Sequence, residues 1–307
     1  MNVRTRLQLG LIMLATALSA SAQEGTGAGD HLKFTKAAVQ ENLLPQLLSA
    51  IPAAERKSLG SIRVEVIADG NPHHVALTRR SRATHAVMLS TGFLDAIETI
   101  NDATVVATKT RRYRDLVAFA QRQAALLGVQ SRDRQSKPRR VPPEQFAQYI
   151  GWPTASYEAF RRSEEYRSLH DALDQQTLAW VMAHYLEHWR AAARVAPAAA
   201  DPLASEKAVD MQASELTFAA GYSAIPPLAS SVVFAALEHG TQSAAALCRA
   251  LEIASTGLEL SQTDPEASRR LGAATDSARY FADQRKELER LSVATRCADS
   301  AARADDQ

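Results

Sequence analysis

His184 and His188 stand four residues apart in LAWVMAHYLEHWRAA, residues 178 to 192. On a helix that spacing puts both side chains on one face, where two neutral imidazoles can share one cation. Tyr185 follows the first histidine and Glu187 precedes the second. A helix advances about 100° per residue, so the midpoint of the histidine pair falls at roughly 20°, with positions 185 and 187 about 80° to either side. Glu187 is therefore a candidate catalytic residue with three readings: an extra metal ligand, a base for a rearranged site, or a surface carboxylate. Eighteen residues past His188, SEKAVDMQASELTFAAGY brings Glu206 and Asp210, also four apart on one helical face. Glu206 would complete three protein ligands and leave a fourth position open, as catalytic zinc requires. Asp210 could accept a hydrogen bond from the far nitrogen of a ligating histidine and fix its tautomer. The bland alternatives are an amphipathic helix whose carboxylates face water, and histidines that simply fill a core.

The elements that must position these residues can be read from periodicity. FTKAAVQENLLPQLLSAI has helical apolar spacing interrupted by Pro45, which predicts a first helix kinked there. SIRVEVIA alternates with period two, HHVALTR follows the Asn71-Pro72 turn, and THAVMLS repeats the pattern, so three strands of a small sheet are expected. From Thr91 onward helical spacing dominates through GFLDAIETINDATVVATKT, RRYRDLVAFAQRQAALLG, the histidine segment and three or four further helices. The expected class is α+β, mostly helical with one small sheet near the front. Between about residues 128 and 174 the pattern loosens, with four prolines and many charges. This stretch reads as an insertion, either a surface excursion with short helices after Pro143 and Pro153 or a lid.

Four segments, taken in order, resemble the zinc metallopeptidases of the CAAX prenyl protease and HtpX type, across about residues 61 to 275. AVMLSTGFLDAI, 86 to 97, looks like the strand and turn ending in T-G-x-L that precede that family's zinc helix. LAWVMAHYLEHW looks like its HExxH helix, SEKAVDMQASELTFAAGY like its ExxxD helix, and SQTDPEASRRL, 261 to 271, like a downstream histidine-proline segment with Asp264 where histidine would stand. The resemblance implies a gluzincin domain over residues 34 to 303, zinc held by His184, His188 and Glu206, and Asp210 as the partner of a ligating histidine. It also implies a polypeptide substrate or client laid along an edge strand near THAVMLS.

Three departures bear on activity. Tyr185 occupies the position of the family's catalytic glutamate, Asp264 replaces a histidine, and the connection from STGFL to the histidine helix is longer than usual. That glutamate takes a proton from the attacking water and later returns one to the leaving amine, work a neutral phenol performs poorly near neutral pH. A glutamate directly before the second histidine serves inverzincins, whose helix runs the other way relative to substrate. Here the third ligand and the substrate strand follow in the ordinary order, so Glu187 would approach from the side opposite the usual base. Two functions from different classes follow: a peptidase with a displaced base, or a non-catalytic relative binding unfolded chains in envelope quality control.

Bulk properties are compatible with either. The chain has 307 residues, 46% of them hydrophobic, and Lys+Arg 35 against Asp+Glu 34 leaves a net charge of +1, so nothing in the balance calls for nucleic acid as a partner. The basic runs at Arg79 to Arg82 and in SRDRQSKPRR read as solvated surface. Arg4 and Arg6, the apolar run LGLIMLATAL and Ala20-Ser21-Ala22 follow signal-peptide logic over residues 1 to 22. A glycine-rich start at 23 to 33 is expected to be disordered, and no later run is long enough for a transmembrane segment. Export to a bacterial periplasm or the medium would let Cys248 and Cys297, the two cysteines, pair. The intact non-reduced mass of exported protein checks both points. A chain starting at Gln23 and short of the two thiol hydrogens is expected; retained residues 1 to 22, or two titrating thiols after denaturation, would refute one or the other.

Overall fold

The computed structural model describes residues 36–72, 75–80, 84–132, 145–194 and 202–222, together with 248–249, 251–255, 258–259, 286, 289 and 292. The chain enters as a π-helical turn, Ala38–Leu43, that passes into helix α1, Leu44–Ala50. Pro45 has no N–H to donate and its ring would crowd the carbonyl one turn back. The wider turn, in which the Leu44 N–H reaches the Val39 carbonyl, is where the expected kink is taken up. A short helix α2, Ala53–Ser58, leads into the sheet.

The three expected strands are present as β1, Ser61–Ile67; β2, Val75–Arg79; and β3, Thr84–Ser90. Their order is β1-β3-β2, with β1 parallel to β3 from Ser61 opposite Thr84 to Ile67 opposite Ser90. β2 is antiparallel to β3, from Val75 opposite Leu89 to Arg79 opposite His85. The strand THAVMLS is therefore central, and the expectation of an edge strand there is corrected: both of its sides are taken. The Gln40 side chain also occupies part of the outer side of β1, donating to the Ile62 carbonyl at 3.3 Å and accepting the Val64 N–H at 2.7 Å. Among the described strands, β2 forms the opposite border.

β3 turns directly into α3, Thr91–Thr110. Ser90 caps that helix by accepting the Phe93 N–H at 3.1 Å. The Gly92 N–H and the Thr91 hydroxyl both reach the Asp69 carbonyl, at 2.8 and 2.7 Å. A Cβ on residue 92 would lie 2.2 Å from the Gly70 carbonyl oxygen, so the S-T-G corner needs glycine for close approach of two backbones.

Helices α4, Tyr113–Arg132; α5, Phe146–Tyr149; α6, Thr154–Arg161; α7, Glu164–Arg194; and α8, Pro202–Ala219 complete the described elements. The main core joins α1 (Leu44, Leu47), β1 and β3 (Val64, Leu89), α3 (Phe93, Ile97), α7 and α8. The architecture is thus mostly helical with one small sheet, α+β.

The stretch 128 to 174 holds the short helices expected after Pro143 and Pro153, but several of its aromatic side chains are buried rather than on the surface; 133 to 144 lie outside the described residues. Phe146, Ala147 and Tyr157 are buried with Leu116 and Phe119 in a second core beneath α3 and α4. Phe160 and Tyr166 bury with Val105 beside it. Asp102 of α3 accepts both tyrosine hydroxyls, Tyr157 at 2.8 Å and Tyr166 at 2.6 Å. Burial, then the Asp102 charge, pushes both phenols above their usual range. Aromatic residues spaced irregularly among charges carry this core, which is why no period revealed it. The histidine helix also begins inside the stretch, at Glu164.

Candidate metal centre

Between Pro153 and Pro197 there is neither glycine nor proline, and Ala, Leu, Glu and Arg are frequent, so one helix of 31 residues is locally favoured. Its middle is buried on nearly every side: Ala179, Trp180, Val181, Met182, Ala183, Leu186 and Trp189 all lie in the core. A helix apolar all round belongs inside a protein, between layers. Its polar residues are then costly unless partnered.

His184 and Glu187 are fully buried, and His188 is half-buried. The two imidazoles do meet, their Nε2 atoms 2.9 Å apart. Behind His184, its Nδ1 lies 3.0 Å from Asp210 Oδ1 on α8. The other Asp210 oxygen accepts Arg249 Nε at 2.6 Å. A buried chain thus runs from Arg249 through Asp210 and His184 to His188. Burial alone would raise the Asp210 pKa; the hydrogen bonds from His184 and Arg249 outweigh it and hold the carboxyl below its usual range.

The protonation pattern follows from the donor inventory. An ionised carboxylate only accepts, so His184 Nδ1 carries the hydrogen. In a neutral His184 the Nε2 lone pair then faces His188, which donates across the 2.9 Å gap. That is also the tautomer a metal ligand requires, with a carboxylate behind the imidazole. Two zinc–nitrogen bonds of about 2.0–2.1 Å at the tetrahedral angle need nitrogens roughly 3.3 Å apart, a few tenths of an ångström wider than observed. The pair fits a cation once the rotamers open slightly and the His188 hydrogen moves from Nε2 to Nδ1.

Glu206 lies on α8 one turn before Asp210; its side chain is outside the described part of the structure. Among the described side chains no three of His, Cys, Asp or Glu form a metal group. Asp264 and Cys297 lie outside the described residues, as do the signal-like residues 1 to 22 and the start at 23 to 33. Within the described residues no helix is long and apolar enough to cross a membrane.

The reading of Glu187 as a surface carboxylate is corrected. Its side chain is buried and ion-paired to Arg190 one turn on, and Arg190 also grips Glu55 of α2 through Nε at 3.0 Å and Nη2 at 2.8 Å. Burial would lower the Arg190 pKa, but the Glu55 hydrogen bond and the Glu187 charge raise it on balance. Glu187 thus buttresses Arg190 within α7, and the Arg190–Glu55 ion pair ties α7 to α2. Tyr185, on the other side of the histidine pair, packs against the main core with its ring edge-on to His184, centroids 5.8 Å apart. The sheet closes the neighbouring side, where His85 of β3 meets Trp189 at a centroid distance of 3.5 Å. Trp180 donates to Ser214 Oγ at 3.2 Å, a further link between α7 and α8.

Sequence reasoning found Asp210 from its spacing to Glu206, and missed Arg249, Arg190 and Glu55. Arg190 carried one local signal, its i, i+3 relation to Glu187; the other two carried none. No protein-family model, curated protein or solved structure matches the chain.

Proposed function

We propose that this chain is an exported, zinc-metallopeptidase-like protein with a displaced catalytic base, acting on or binding extended or unfolded polypeptides. The observation that carries the reading is the convergence of His184 and His188 through Nε2, with Asp210 behind His184. Ordinary core histidines do not need both features. His184, His188 and Glu206 would hold the metal. Zinc bound there would supply a Lewis acid that polarises a carbonyl and activates water near neutral pH. The chain's own residues do the rest: Asp210 holds the Nδ1 proton of His184, and the surrounding core excludes water from the inner histidine. An extended polypeptide would add to the β2 border by backbone hydrogen bonds, since β3 is fully paired.

A second reading, a non-catalytic relative that binds clients, is favoured by one specific observation. The single carboxylate next to the histidines in sequence, Glu187, is engaged by Arg190, and Tyr185 stands where a base is wanted. A protease assay on an unfolded substrate separates the two.

The metal itself is tested by composition. Protein purified from the exported fraction is expected to carry stoichiometric zinc. His184→Ala, His188→Ala and Glu206→Ala should each lower occupancy and melting temperature, because a ligand bound only to the native state stabilises it by mass action. Unchanged zinc and melting temperature in all three variants would dismiss the site.

A further inference from the structure

We propose that Arg249 is a positioning residue for the candidate metal centre: its guanidinium pins the Asp210 carboxylate and through it sets which nitrogen of His184 faces His188. The proposal deepens the metal-site reading and rests on it for the metal arm of the test alone.

The geometry carries it. Arg249 Nε donates to Asp210 Oδ2 at 2.6 Å, and Asp210 Oδ1 receives His184 Nδ1 at 3.0 Å, so the two oxygens of one carboxylate are held from opposite sides. With one oxygen fixed, the other can point in one direction only. His184, Asp210 and Arg249 are 0%, 2% and 7% exposed, so bulk water does not substitute for a lost partner. Were the carboxylate to swing away, the His184 ring would lose the acceptor that favours Nδ1–H. Its other tautomer places a hydrogen on Nε2, the atom aimed at His188. That hydrogen would close the lone pair to any cation.

Arginine suits this task better than lysine. Its planar fork fixes the direction of each N–H, whereas an ammonium is a strongly hydrated point charge on a flexible stem. Arg249 lies 39 residues beyond Asp210, so a segment distant in sequence reaches the site.

The test uses the mature full chain stripped of metal, with Arg249→Gln and Arg249→Lys. Long-range ¹⁵N–¹H spectra report the His184 tautomer, the signal being assigned by its loss in His184→Gln. Wild type is expected to show a single Nδ1–H form. Arg249→Gln should show a mixture and bind added zinc about 10–100-fold more weakly by calorimetry, as for other partners behind a metal ligand. Arg249→Lys, which keeps the buried charge, should fall between, and it decides the question if the glutamine variant does not fold. A merely structural arginine would leave the tautomer of the folded variants unchanged, and that result overturns the proposal. Absence of zinc binding by wild type would instead refute the metal reading, while the tautomer comparison still judges Arg249.

Discussion

Asp210→Ala is expected to cost about 3–5 kcal/mol of folding stability even in metal-free protein, because it breaks a buried ion pair with the Arg249 guanidinium. The carboxylate is 2% exposed and holds Arg249 and His184 at once, so its loss removes a charged acceptor from a buried guanidinium and from a buried ring nitrogen together. For a chain of this size the melting temperature should fall by roughly 6 to 20 °C. Glu215→Ala, on the exposed face of the same helix, is the control and should stay within about 0.5 kcal/mol of wild type. The pH dependence has a definite sign. The folded pKa of Asp210 lies below the ordinary 3.8, so its contribution is complete above that value and is lost only as pH falls through the lower folded one. The gap between wild type and variant should therefore persist at neutral pH and close in strong acid. Chemical denaturation at pH 7 and at a series of values descending below 3.8 measures both. Equal midpoints for wild type and Asp210→Ala at pH 7 would show that the buried chain contributes nothing.

Tyr185→Glu is expected to raise peptidase activity on an unfolded protein by about 10² to 10⁴-fold, the usual contribution of a general base. Position 185 lies about 80° from the midpoint of the histidine pair, on the side opposite Glu187. Glu187 is held by Arg190, which is itself bound to Glu55, so a proton taken by Glu187 would weaken a buried ion pair. Glu187→Gln should accordingly show its effect in stability, with zinc content unchanged. The core packing of Tyr185 sets a limit on the gain, since a shorter charged side chain there loses apolar contact. Zinc content and melting temperature are to be measured beside activity in each variant. Should wild type already be active and Glu187→Gln abolish that activity without metal loss, Glu187 is the base and the reading of a catalytically impaired relative fails.

Most of the elements were legible in the sequence, because their signals are local. Period two marked SIRVEVI and THAVMLS, period 3.6 marked α3 and α4, and the four-residue spacing brought His184 toward His188. Even the partnership of Asp210 with a histidine was legible, since it needs only two helices packed side by side.

Tertiary structure alone decided the rest. That β3 lies between β1 and β2 depends on pairings that no alternation encodes, and it moves the available sheet border away from THAVMLS. Phe146, Tyr157 and Tyr166 became core because α3 offers them an apolar flank and Asp102 an acceptor, although their neighbours in sequence read as surface. Of the three readings of Glu187, the surface carboxylate falls because Glu55, 135 residues before Arg190, helps place that arginine against a buried Glu187. Arg249 reached Asp210 by the same route. A charge enters a low-dielectric interior only where an opposite charge is brought to it, and the chain segments that bring these charges are joined by packing rather than by proximity in sequence.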